Sequence, residues 1–104
     1  MATQYVILSR QPASASGSSL GAIGSRKDII NDLARYNTAP DGSTNDVLYG
    51  PGIRIEMPPD QDPVSQMLMT VVEEEIAWLV ILRLAKAFAW KIVDMNTGRE
   101  LNAN

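Results

Sequence analysis

Between Ile76 and Ala89 the chain carries only two charges, Arg83 and Lys86. They are three residues apart, so on a helix they share one face. Everything else in the segment is apolar or small. A helix built from it has a narrow polar stripe and a wide apolar one, and it must be packed on more than one side. A sheet together with a first helix is one such cover, and a second subunit is the alternative. The flanks sharpen the reading. Glu73-Glu74-Glu75 sits where the helix begins, and acids are favoured there because the unpaired N–H groups and the helix dipole are positive. Upstream lies the strand-like run Gln66 to Val72, and downstream a second one, Trp90 to Met95, closed by the turn Asn96-Thr97-Gly98. Gln66 to Leu101 therefore reads as strand, helix, strand.

The N-terminal half follows the same plan. Tyr5 to Ser9 is β-branched and apolar, a strand. The stretch 11–24 is rich in Ser, Ala and Gly and reads as a flexible loop. Ser25 is a helix N-cap with Asp28 three residues on. Ile29, Ile30, Leu33 and Tyr36 then recur with helical spacing, giving a helix from about Arg26 to Tyr36. Breakers from Asn37 to Gly42 end it. Asp46-Val47-Leu48-Tyr49 reads as either a short strand piece or the loop's way back, and Gly50-Pro51-Gly52 as a tight turn. Ile53 to Met57 alternates, with Ile53, Ile55 and Met57 on the buried face and Arg54 and Glu56 on the wet one. Pro58 to Pro63 is a stiff polar connector that returns Gln66 to Val72 antiparallel, as a hairpin.

Short connections and right-handed crossovers turn this order into an α+β two-layer sandwich, with two helices on one face of a mainly antiparallel sheet. The arrangement resembles the ferredoxin-like split βαβ topology. That resemblance concerns topology and implies no activity. The 104 residues suit one domain with one core.

Composition removes several function classes. The chain has no cysteine and no histidine. Disulfides, thiolate nucleophiles and sulfur or imidazole metal sites are excluded, as are Ser-His-Asp and Cys-His catalysis. No catalytic motif and no cofactor is expected. Hard, oxygen-bound cations remain open. Net charge is −3, and the nine basic residues are scattered, with only Arg26-Lys27 adjacent. Nucleic-acid binders gather a basic patch, so nucleic acid is not the expected partner. The longest apolar run, Ile76 to Leu82, is far shorter than the roughly 20 residues of a membrane span, and no secretory leader pattern opens the sequence. A cytoplasmic protein without a membrane partner is expected.

Three places invite a functional reading beside a plainer one. Ser25, Arg26 and Lys27 stand at a helix start behind a Gly-rich loop, a place that binds anions. The loop fits neither the Walker A nor the Gly-x-Gly-x-x-Gly pattern, and a helix cap is the plainer reading. Glu73, Glu74, Asp94 and Arg99 should emerge at one sheet edge, where acids can hold a divalent cation or act as acid and base. The two strands carrying them are expected to be two spacings apart, roughly 10 Å, and the plainer roles are helix-dipole acids and a turn. Leu68, Val72, Val93 and Met95 point away from the helix side, and exposed apolar strips mark interfaces. The plainer reading is that loops cover them. Trp78 and Trp90 read as core anchors.

The expectation is a small non-enzymatic association module that self-associates as a homo-oligomer, or binds a protein partner or small ligand. It would use the open sheet face or the last helix. The alternative is an enzyme or divalent-cation site at the acidic edge.

Overall fold

A computed structural model describes residues 3–9, 23–42, 44–88 and 90–101 of the chain. Most of the loop expected at 11–24 lies outside them. The described residues form β1 (Gln4–Ser9), α1 (Arg26–Ala34), β2 (Val47–Gly50), β3 (Ile53–Glu56), β4 (Gln66–Val71), α2 (Glu74–Phe88) and β5 (Trp90–Asp94). The five strands make one sheet in the order β2-β3-β4-β1-β5, and every neighbouring pair is antiparallel. β4 and β5, the strands joined by α2, therefore run parallel with β1 between them. The short piece around Leu48 is a full edge strand paired along its length with β3. The sheet thus has one strand more than the two strand–helix–strand halves require.

Register sorts the side chains. Ile7 lies opposite Met67 on one side and Ile92 on the other, and Met69 is flanked by Tyr5 and Ile55. Leu48 continues that row beyond Ile55. All of these are buried, and Ile29 and Leu33 of α1 and Ala77, Ile81, Leu84 and Ala85 of α2 join the same cluster. One sheet face thus carries the core. Each large apolar side chain sealed in it contributes roughly 1.5–3 kcal/mol.

Local chemistry sets the joints. The Ser25 hydroxyl accepts the Asp28 amide at 3.1 Å, capping α1. The helix is shorter than its apolar spacing implies. Asn37 adopts φ 59°, the Thr38 amide donates to the Leu33 carbonyl at 3.1 Å, and the Asn37 amide to Ala34 at 3.3 Å. That is a Schellman close, with Asn in the left-handed position usually given to glycine. Pro51 and Gly52 (φ 72°) turn β2 into β3. The Gly52 carbonyl also accepts the amides of Val72 and Glu73, at 2.8 and 3.0 Å, and so ties the hairpin to the start of α2.

Candidate functional site

The sheet face away from the helices carries no second layer of helix or strand among the described residues. Its central row runs Val47, Glu56, Leu68, Val6, Val93 across all five strands. A second row, Tyr49, Arg54, Thr70 and Gln4, is polar, and the Gln4 amide group donates to the Thr70 hydroxyl at 3.4 Å. Leu68 and Val93 are half-buried by their neighbours, while Val72 (66% exposed) and Met95 (53% exposed) stand open. Of the four apolar residues singled out in the sequence, Leu68 and Val93 lie in the central row, Met95 lines a concavity beside it, and Val72 follows the end of β4. A shallow concavity of about 500 Å³ lies on this face. Val6, Leu68 and Met95 line it, with Met57, Pro58 and Pro59 along one side and Asp46 and Glu56 among its rim groups. Its size falls within the range of small-ligand pockets. Sequence reading missed the contribution of Val6 and of the Pro58-Pro59 wall. The available signal was that Tyr5 to Leu8 is apolar at every position, so a central strand must show apolar groups to both faces.

The acidic edge is assembled in part. Asp94 pairs across the ladder with Tyr5, which in turn pairs with Met69, so β4 and β5 are separated by β1 as expected. Burial first, then the charges of Asp94 and Glu74, push the Tyr5 hydroxyl above the ordinary tyrosine range. Asp94 is engaged locally. Its carboxylate accepts the amides of Asn96 and Thr97 at 2.7 and 3.3 Å, and the Arg99 carbonyl accepts the Asp94 amide at 2.8 Å. Glu73 lies just before α2, and Glu74 and Glu75 form its first turn. Among the described residues no three metal-ligating side chains come together as a cation site requires.

At the start of α1 the chain supplies its own anion. The Arg26 amide donates to the Asp62 carboxylate at 3.2 Å. The Arg26 guanidinium donates to the Pro58 carbonyl at 2.8 Å and forms an ion pair with Asp46. Ser25 is occupied as the cap. Arg26 and Asp62 thereby clamp the 58–65 connector onto α1. Next to the clamp, Ile23 and Gly24 exchange backbone hydrogen bonds with the fully buried Val64. Lys27 points outward and is exposed. The Gly-rich residues 17–22 lie outside the described residues.

α2 departs most from expectation. Ala77, Ile81, Leu84 and Ala85 face the core, but Leu79 is 73% exposed, and Ile76, Trp78 and Leu82 are exposed as well. Trp78 touches the edge of Tyr5, with ring centroids 6.1 Å apart, yet is not the central anchor its size implies. That role belongs to Trp90, which is buried and stacked 5.3 Å from Phe88. Phe88 in turn meets Tyr36 of the α1 terminus edge-on at 5.4 Å. The one packed side of α2 is satisfied; the second side expected from its apolar width has no cover among the described residues.

The chain matches no protein-family model, no curated protein and no solved structure. Among the described residues no helix is long and apolar enough to cross a membrane.

Proposed function

We propose that this protein works by association rather than by catalysis, holding an apolar partner on the surfaces its fold leaves open. The observation that carries this reading is the exposure of large apolar side chains in two places, Met95 beside the bare sheet face with Val72 just past β4, and Ile76, Trp78, Leu79 and Leu82 on α2. Monomeric proteins keep contiguous apolar patches small, and larger ones serve recognition. The open-face concavity has the size for a small apolar ligand or a side chain of a protein partner, and its methionines adapt to varied shapes. The strand order supports a frame like the ferredoxin-like split βαβ, with β2 added at the edge. A cytoplasmic site of action and a homodimer complete the proposal.

The test is an amide NMR titration with an uncharged alkyl glucoside below its micelle concentration, beside sedimentation at rising protein concentration. Shifts gathered at Val6, Leu68, Val93 and Met95, or a mass that grows with concentration, support association. A flat spectrum together with a concentration-independent monomer defeats it. The second reading is a divalent-cation site at the acidic edge. It is motivated by placement: Glu74 opens α2 just after β4, and Asp94 ends β5, the two strands that flank β1. Magnesium added to the same sample should then shift residues 73–75 and 94–99 alone; no response there removes it.

A further inference from the structure

The outward side of α2 is complementary to itself. Glu75, Leu79, Leu82 and Lys86 follow one another at spacings of four, three and four, so they form one straight ridge along the helix. All four are exposed, and the ridge lies opposite the buried set Ala77, Ile81 and Leu84. The order along the ridge is acid, leucine, leucine, base. Positions 75 and 86 share their midpoint with 79 and 82. Turning a second copy end for end about that midpoint sets Leu79 against the partner copy's Leu82 and Glu75 against its Lys86, twice over by symmetry. The two charged ends lie about 16 Å apart, with the leucines between them.

Neighbouring groups fit the same docking. Trp78 flanks the ridge on the side of Leu82, and Arg83 brings a second cation within one turn of the opposing Glu75. No ion pair among the described residues engages Glu75, Arg83 or Lys86 within the chain. A parallel pairing would set Glu75 against Glu75 and Lys86 against Lys86, so charge selects the antiparallel one. Antiparallel helices also oppose their dipoles favourably.

We infer that the occupant of this face is a second copy of the chain, docked helix to helix in a two-fold, antiparallel dimer centred between Leu79 and Leu82. This rests on the reading that the protein functions by association, and names the partner of the α2 surface. One helix ridge is smaller than the roughly 800 Å² per partner of a standard interface, which places the dimer in the weak, transient class.

The experiment is sedimentation velocity on the whole chain with Glu75→Lys, Lys86→Glu, the double reversal, and Leu79→Asp. Leu79 is far enough from the core that the aspartate folds, which circular dichroism verifies. The wild type should approach twice the monomer mass as concentration rises, and Leu79→Asp should stay monomeric. Each single reversal should weaken the dimer about tenfold, since it turns two attractions into repulsions. The double reversal restores complementarity and should return the affinity to within about threefold of wild type. A dimer indifferent to the reversals, or a double variant no better than the singles, overturns this pairing while leaving association intact. So does a strict monomer that still binds the alkyl glucoside at the open face. A strict monomer that binds nothing at either face removes both readings.

Discussion

Gly52 and Gly98 hold the same left-handed backbone angle, φ 72°, in different surroundings. A Cβ on Gly98 meets nothing within 4 Å, whereas on Gly52 it would lie 2.7 Å from the Glu73 carbonyl oxygen and 3.0 Å from the Ala77 nitrogen. Gly98→Ala should therefore cost only the conformational strain, about 1 kcal/mol. Gly52→Ala should cost about 3 kcal/mol or more, because backbone on the α2 start must also move. Urea denaturation of the two variants separates strain from collision. Tyr5 gives a second residue-scale outcome. Its hydroxyl is raised above the usual 10.0 by burial and by Asp94 and Glu74, so the folded state favours the neutral phenol. A raised folded value means the contribution is fully present below the unfolded pKa and is lost as pH climbs through the folded one. Stability of the wild type should fall more steeply above pH 10 than that of Tyr5→Phe, as chemical denaturation at stepped pH would register.

At the scale of elements, α2 has two sides of unequal importance to folding. Leu84→Ala opens a cavity in the core and should cost about 3 kcal/mol. Leu79→Ala, on the outward ridge, should change monomer stability by less than about 0.5 kcal/mol when measured at low concentration. Equal costs would mean that α2 is packed on both sides within one chain. The 58–65 connector depends on Arg26 instead. Arg26→Leu removes the hydrogen bond to the Pro58 carbonyl and the pairing with Asp46. A loss of about 2 kcal/mol is expected, with faster hydrogen exchange at the Ile23 and Val64 amides, whose bonds lie beside the clamp. Neither consequence was legible beforehand. The spacing from Ile76 to Ala89 announced an apolar helix, but which of its sides met the sheet depended on where β1 and β4 came to rest. Arg26 and Asp62 are 36 residues apart, and nothing local joins them.

For the whole molecule, β1 is the organising strand. It bonds β4 on one side and β5 on the other, joining Gln4 to Thr70 across 66 residues. The sheet closes only when both ends of the chain have arrived. Unfolding should therefore be one cooperative transition, with tryptophan fluorescence from Trp78 and Trp90 and far-ultraviolet circular dichroism lost together. Separate midpoints would show that the halves fold independently. The exposed ridge and the bare sheet face lie on opposite sides of this molecule, so the α2 dimer leaves the open concavity accessible. A dimer that still binds the alkyl glucoside is the expected joint outcome.

Local order alone determined a good deal here. The two-residue alternation of Ile53 to Met57, the cap at Ser25, the acids before α2 and the turn after Asp94 all act within a few bonds, and each element stands near its expected place. The inward and outward sets of β4 and β5 were readable for the same reason, since successive strand side chains must alternate. What only the tertiary structure decided was the use of each surface. Leu79 and Leu84 are the same residue on the same helix, and burial separates them because a sheet lies on one side only. Arg26, free to bind an external anion by its position, is spent on Asp46 and on the connector that distant pairing brings to it. A side chain's chemistry is written in its own identity, but the groups it meets are set by where remote segments pack.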